Sequence, residues 1–313
     1  MNRECESMRF GLCCIFMTEP IRFRTTTARV LTSLSRAEQR ERLSAICLAN
    51  ANNLYRAVET VARLGIGAFR VSSPFFPRYT HPEVGYTLEE LPAGAEIRAL
   101  LFNVAQLRSR LKIRLSFHPD QFVSISSLRA EVVWKSLAEL EYQGLVAELI
   151  GADVITIHAG GRQGGKSATL QRFMNNFQLL SERVRARLAL ENDDISYTVK
   201  DLLPVCEQLD IPLVYDVHHH RCNPDGFPVE EATRRALATW RRQGREAWFH
   251  ISSPRTGWGE GNPKLHADYI DPGDFPDCWR ELDVTIDVEA KAKELAVLRL
   301  MKDLAQQTGD ILP

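Results

Sequence analysis

Eight short apolar segments recur along the chain, and nearly all are followed by a segment whose apolar residues have helical spacing. They occupy residues 9–14, 68–72, 113–118, 153–158, 188–192, a run ending at 216, 248–251 and 284–289. Alternation of strands and helices predicts parallel strands, because each helix returns the chain to the start of the next strand. Eight such units in 313 residues favour a closed (β/α)8 TIM barrel over an open sheet.

The predicted connecting helices leave no linker or low-complexity gap between the units. They cover residues 37–63, 89–111, 130–150, 168–183, 199–209, 229–242 and 291–306. We therefore expect one domain over residues 1–313, with residues 1–7 as a disordered tail. The apolar stretch 8–17 is too short to span a bilayer and fits a first strand.

Charge and cysteine content limit the classes of partner and compartment. The net charge of −1 provides no general attraction to nucleic acid or to an anionic membrane, so a polyanion site must be local. Seven cysteines with irregular spacing indicate a reducing compartment and no structural zinc ribbon. We expect a cytoplasmic protein without a membrane partner.

Strands three to eight all end in a residue that can bind a metal ion. Active sites of (β/α)8 barrels lie at this carboxyl end of the strands. A single buried histidine or acid is more often structural, but six at equivalent positions indicate a multinuclear metal centre with Mn2+ or Zn2+. The six are His118, His158, Glu191, Asp216, His250 and Glu289, and loop positions after the strands add His81, His218, His219, His220 and His266.

Two further segments could bind phosphate. Residues 160–167 match the pattern GxxxxGK[ST] between a predicted strand and a predicted helix, which is typical of nucleotide hydrolases. That alternative leaves the histidines unexplained, whereas in a barrel the same loop and Lys166 could hold a phosphate of a DNA backbone. Residues 22–29, with Arg22 and Arg24, form either a second phosphate-binding loop or an ordinary solvated one.

The sequence resembles the UV damage endonucleases, relatives of endonuclease IV among the metal-dependent TIM-barrel enzymes. The matching motifs occur in the family's order along nearly the whole predicted barrel. They are SFHPDQF at 116–122, IHAGG at 157–161, LEND at 190–193, DVHHH at 216–220, HISSP at 250–254, HAD at 266–268 and VEAKAKE at 288–294. The resemblance implies incision of damaged double-stranded DNA immediately 5′ to UV photoproducts, and at abasic sites, leaving a 3′-hydroxyl and a 5′-phosphate.

The resemblance also implies roles for individual residues. His118, His158 and Glu191 would bind one metal ion; Glu191, Asp216, His250 and Glu289 would bind a second and form the catalytic set; His219 and His266 would bind a third, with His81 nearby. The ions would be two or three Mn2+, with Zn2+ or Mg2+ as alternatives, and no nucleotide cofactor is expected. Gln121 and Phe122 would be pushed into the duplex to probe the lesion, and we expect a monomer.

Two positions depart from the family pattern. A modified lysine that helps to hold the metals in well-known members is Trp248 here, and Asp268 is a candidate substitute. A tyrosine used in lesion contact is Leu12. A sugar isomerase or epimerase of the same barrel group remains the alternative within the fold, because it needs one or two metals but no Gln121-Phe122 pair.

Overall fold

The computed structural model describes residues 8–308, in which eight parallel strands close a barrel in sequence order. The strands are β1 Arg9–Cys13, β2 Ala68–Val71, β3 Arg114–Phe117, β4 Val154–His158, β5 Leu188–Glu191, β6 Leu213–Asp216, β7 Ala247–Ile251 and β8 Val284–Val288. Strand β1 closes the ring by pairing with both β2 and β8. The predicted TIM-barrel fold is confirmed, whereas the tail predicted at residues 1–7 lies outside the described residues.

Helices connect successive strands, and a last helix follows β8. They are α1 Ala28–Thr32, α2 Arg36–Arg63, α3 Gly94–Arg110, α4 Ala130–Ile150, α5 Lys166–Phe177, α6 Glu182–Arg185, α7 Val199–Leu209, α8 Val217–Cys222, α9 Val229–Arg242 and α10 Glu294–Thr308. Short 3-10 turns lie at Leu88–Glu90, Pro272–Asp274 and Asp277–Trp279. No helix within residues 8–308 is long and apolar enough to cross a membrane.

Local sequence explains several of the helix ends. Ser35 and Glu38 form a capping box at the start of α2, because each side chain bonds the other residue's main-chain N–H. Thr198 and Asp201 do the same for α7. Gly151 ends α4 in the left-handed conformation, with φ 67°, which glycine adopts without a steric penalty.

Three predicted helices have different bounds in the structure. The one at 89–111 is interrupted after a 3-10 turn, and α3 begins only at Gly94, behind Pro92. The one at 168–183 divides into α5 and α6. The one at 291–306 begins at Glu294, because the main-chain N–H of Lys291 donates to the carbonyl of Ala267 instead of entering a helix.

Two segments predicted as loops contain short helices. Thr27, in the basic segment 22–29, accepts a hydrogen bond from the main-chain N–H of Val30 and begins α1. The three histidines after β6 lie on α8 and not in a loop. In both cases a side-chain cap at the first turn supplies the partner that a short helix needs.

Candidate metal centre

The proposed ligands gather where the strands end. His158, Glu191 and Asp216 are the last residues of β4, β5 and β6. His118 and Glu289 directly follow β3 and β8, and His250 is the penultimate residue of β7. Since all strands are parallel, these side chains lie at one mouth of the barrel.

Glu191 lies at the middle of this group and is completely buried. Its Oε2 atom is 2.6 Å from Nε2 of His118 and 3.7 Å from Nε2 of His158. Its Oε1 atom is 2.9 Å from Nδ1 of His250 and 3.4 Å from Nδ1 of His219. One carboxylate therefore faces imidazoles from four different segments of the barrel mouth.

Two further carboxylates extend the group. Asp216 Oδ2 lies 3.6 Å from Nδ1 of His219. Glu289 Oε1 lies 3.6 Å from Nδ1 of His250, and its Oε2 lies 3.8 Å from Nδ1 of His266. Eight of the nine predicted ligands are thus linked by contacts, and we call them the metal cluster: His118, His158, Glu191, Asp216, His219, His250, His266 and Glu289.

The ninth predicted ligand, His81, has only local contacts. Its Nδ1 atom accepts from the main-chain N–H groups of Glu83 and Val84, at 3.2 and 3.4 Å. Within residues 8–308, no hydrogen bond or ion pair joins His81 to the metal cluster. Its assignment as a ligand stays a prediction.

Helix α8 explains how His219 reaches the cluster. Asp216 Oδ1 accepts a hydrogen bond of 2.7 Å from the main-chain N–H of His219 and thereby caps the helix. Its other oxygen, Oδ2, does not take part in the cap and faces the imidazole of His219. The capping bond supplies an acceptor to one of the free N–H groups in the first turn of α8.

Arg70 on β2 is a member of the site that the sequence reasoning missed. Its buried guanidinium lies 2.7 Å from Glu289 Oε1, 3.0 Å from Asp287 Oδ2 and 2.9 Å from Nε2 of His250. A strand arginine alone would not have singled out Arg70, because Arg114 lies in the equally buried strand β3 and belongs to the other end of the barrel.

Burial and charge act against each other in the cluster. Burial raises the pKa of Glu191, but His250, His158 and His118 outweigh it and hold that pKa well below its usual value. Burial lowers the pKa of His219, but Asp216 and Glu191 outweigh it and raise that pKa well above normal. Burial dominates at His158, whose pKa is lowered. Glu191 is therefore an ionised carboxylate held inside protein, which requires compensating positive charge.

The donors fit divalent cations. Ligand atoms of His118, His158 and Glu191 lie within 4.8 Å of one another, as do those of Glu191, Asp216 and His250. Asp216 Oδ2 and His158 Nδ1 are buried and have no hydrogen-bond partner. Carboxylate oxygen with imidazole nitrogen suits Mn2+ or Zn2+, and a bound cation would satisfy the unpaired oxygen.

The predicted lesion probe is exposed beside the cluster. Phe122 is 78% exposed, although large apolar side chains are usually buried. Its main-chain N–H donates to Asp120 Oδ1 at 3.0 Å, which fixes the turn after β3. Gln121 is exposed next to it.

The predicted phosphate contacts differ in their surroundings. Arg24 is exposed, whereas the Arg22 guanidinium donates to main-chain carbonyls of its own loop, including that of Glu19 at 2.7 Å. Lys166 Nζ donates to Asp201 Oδ2 at 2.5 Å. Lys166 is therefore paired with a carboxylate in the first turn of α7, whereas a P-loop lysine reaches the bound phosphates.

The two departures from the family pattern are both buried. Trp248 is inaccessible to solvent, and the Arg114 guanidinium lies 4.5 Å from its ring centre. Leu12 belongs to the hydrophobic core and has no exposed surface. Neither side chain is placed to contact a substrate at the barrel mouth.

Comparisons with known proteins agree with the geometry. Residues 8–311 match the family model described as UV-endonuclease UvdE. A UV DNA damage endonuclease of Bacillus velezensis is 33% identical over 96% of this chain and 95% of its own. A UV-damage endonuclease of Neurospora crassa is 38% identical over 85% of this chain but only 42% of its own.

Solved structures also match this chain. The crystal structure of SacUVDE is 28% identical, with a TM-score of 0.85 over 97% of this chain and 100% of that one. Endonuclease IV from Thermus thermophilus, at 17% identity and a TM-score of 0.59 over 96% of this chain and 99% of its own, shares the fold alone.

Proposed function

The chain belongs to the UV-endonuclease UvdE family, and we propose that it is a DNA repair endonuclease that incises the backbone immediately 5′ to UV photoproducts and abasic sites. Incision would leave a 3′-hydroxyl and a 5′-phosphate. The observation that carries the proposal is the metal cluster, in which the buried Glu191 carboxylate faces imidazoles from four segments. Cations held by such a group would suit phosphodiester hydrolysis, because a phosphate oxygen needs positive charge beside it as the bond breaks.

We assign the ligands as the resemblance implies. Two or three Mn2+ ions would be held by the metal cluster, with Glu191 shared between two of them. When bound, these ions activate water and neutralise charge on the phosphate oxygens. Arg70 adds a fixed positive charge on the Asp287 and Glu289 side.

Recognition of the lesion would come from the exposed loop after β3. A photoproduct or an abasic site weakens base pairing and stacking, so an aromatic ring can enter the duplex there at lower cost than in intact DNA. Phe122 has the required exposure, and Gln121 can replace hydrogen bonds of an unpaired base. Arg24 and Lys166 would contact phosphates, while Arg22 shapes the loop that carries Arg24.

The test uses purified protein and a duplex with a single thymine dimer. With Mn2+ and without ATP, we expect one nick on the 5′ side of the dimer, a ligatable 3′-hydroxyl on one fragment, and no nick in undamaged duplex. A duplex with one abasic site tests the second substrate in parallel. Absence of incision with Mn2+, Zn2+ and Mg2+ would overturn the proposal, and incision that requires ATP would favour a nucleotide hydrolase.

A further inference from the structure

The loop after β7 is a hairpin whose base lies at the metal cluster. Pro254 and His266 form an isolated antiparallel bridge. Around it, the main-chain N–H of Arg255 donates to the carbonyl of Leu265 at 2.7 Å. Because His266 is a member of the cluster, residues between 254 and 266 project from the barrel mouth next to the proposed metals.

Trp258 lies at the turn of this hairpin, where the backbone conformation is fixed by the neighbouring residues. Gly257 and Gly259, on either side of it, have φ values of 78° and 95°, a region that side-chain-bearing residues rarely adopt. Thr256 Oγ1 also donates to the carbonyl of Glu260 at 2.6 Å, which closes the turn. The two glycines therefore allow a tight turn that presents the indole in one direction.

The indole itself is held by polar and aromatic partners, and the Arg221 guanidinium lies 6.0 Å from the centre of its ring. Its Nε1–H donates to Asp274 Oδ1 at 2.7 Å, and Asp274 also accepts from Ser253 Oγ at 2.5 Å. One part of the ring packs against the buried His218, with 5.3 Å between ring centres. The Trp258 side chain nevertheless remains 41% exposed. An aromatic ring that is already fixed loses little conformational freedom when a ligand stacks on it.

Trp258 and Phe122 are on opposite sides of the metal cluster. In a barrel of eight strands paired in sequence order, β3 and β7 lie across from each other. Phe122 is on the loop after β3 and Trp258 on the loop after β7. Between them, Glu191 contacts His118 from the first side and His250 from the second.

We propose that Trp258 is a second stacking contact for DNA, which holds a nucleobase on the far side of the incision site from the base that Phe122 probes. Base stacking on aromatic side chains tolerates any sequence, as a lesion-directed enzyme requires. The exposed Arg255 in the same hairpin supplies a cation for the adjoining phosphate. The inference rests on the proposed function, because it takes the substrate of the barrel mouth to be DNA.

Replacement of Trp258 tests the contact. We expect Trp258→Ala to weaken binding of a dimer-containing duplex by about 5- to 100-fold. Trp258→Phe should keep most of the affinity, because a ring remains, and Phe102→Ala, which removes an exposed ring from the middle of α3, should change nothing. Metal per chain should equal the parent's in all three variants. Loss of metal in Trp258→Ala, or unchanged affinity, would overturn the inference.

A fluorescent base locates the contact. With 2-aminopurine placed in turn at positions on both sides of the scissile phosphate, one position away from the lesion should be quenched by the parent and not by Trp258→Ala. Phe122→Ala should leave that position quenched. If the parent incises the dimer duplex but shows no Trp258-dependent quenching, the inference fails and the proposed function stands; a parent that neither binds nor incises the duplex overturns both.

Discussion

The two ends of the barrel both carry dense charge, but they differ in how that charge is balanced. At the amino end of the strands, a cavity of about 420 Å³ is lined by five cations and two carboxylates. These are Arg9, Arg108, Lys112, Arg114, Arg245, Asp153 and Glu246. At the carboxyl end, the metal cluster brings three carboxylates among five histidines.

The amino end supplies its own partners. Arg108 pairs with Asp153 at 2.7 Å and also donates to the carbonyl of Ile113. Arg245 donates to the carbonyl of Asp153, and Arg9 pairs with Glu246 at 3.3 Å. Main-chain carbonyls thus act as acceptors for the arginine N–H groups in addition to the two carboxylates. These residues can therefore balance their charges and close the barrel without a ligand.

The carboxyl end is left incomplete. Asp216 Oδ2 and Asp287 Oδ1 are buried without a hydrogen-bond partner. Buried polar groups in folded proteins nearly always have partners, and a cation at the barrel mouth would supply one to these carboxylate oxygens. The contrast makes the carboxyl end, and not the amino end, the candidate place for a bound cation.

The largest expected effect is at Glu191. We expect Glu191→Gln to reduce incision on the order of a thousandfold, because an amide is a poor ligand and cannot be shared between two cations. Bound Mn2+ should fall, while affinity for damaged duplex stays within about threefold, since phosphate contacts dominate affinity. Metal analysis, a binding titration and a nicking assay measure these quantities.

The matched control is Glu96→Gln, which neutralises an exposed carboxylate on α3. It should leave incision and metal content unchanged. Near-parental incision by Glu191→Gln would contradict the bridging role.

Arg114→Met should have the opposite profile. Arg114 is buried, donates to Thr285 Oγ1 at 2.8 Å, lies 3.3 Å from Glu246 Oε1 and covers the Trp248 ring. Its loss should lower the free energy of unfolding by about 3 kcal/mol, while incision per folded molecule changes little. Urea unfolding of the metal-free protein measures the first quantity, and Arg110→Met, at an exposed arginine of α3, is the control. A large loss of incision without a loss of stability would contradict the structural role that we assign to the amino end of the barrel.

Periodicity was enough to predict the barrel, and it placed six of the candidate ligands at the strand ends. A parallel barrel places every strand end at one mouth, so a histidine or an acid at each end could be assigned without coordinates. Glu289, for example, follows directly from the position of β8 in the chain.

What could not be predicted depends on contacts between distant strands. Arg70 joins the site only because β2, β7 and β8 bring its guanidinium within hydrogen-bond distance of His250, Asp287 and Glu289. Likewise, α8 forms around a capping bond from Asp216, and a six-residue helix has too little periodicity to be recognised.

Phe122→Ala separates recognition from chemistry within the carboxyl end. Loss of a stacking aromatic typically weakens binding by about 1–3 kcal/mol, so affinity for a dimer duplex should fall about 5- to 100-fold. The number of metal ions per chain should not change, because Phe122 is exposed and its replacement removes no metal ligand. Leu128→Ala, at a neighbouring exposed apolar side chain, is the control. Unchanged affinity, or loss of metal, would show that this loop does not read the lesion.

The smallest expected effect is at Lys166, which lies near the carboxyl end but resembles the amino-end arginines because it has its own partner. Its ion pair with Asp201 is partly exposed, and such pairs contribute about 0–1 kcal/mol. Lys166→Ala should therefore lower duplex affinity by about threefold at most, through one lost phosphate contact, with a slightly weaker dependence on salt. Stability and metal content should stay close to the parent's, and neither protein should hydrolyse ATP. A salt titration of binding, with an ATPase assay on the same samples, measures both points. The contrary result is that the parent hydrolyses ATP and that Lys166→Ala loses this activity. This result would assign the glycine-rich segment 160–167 to nucleotide binding and Lys166 to the chemistry.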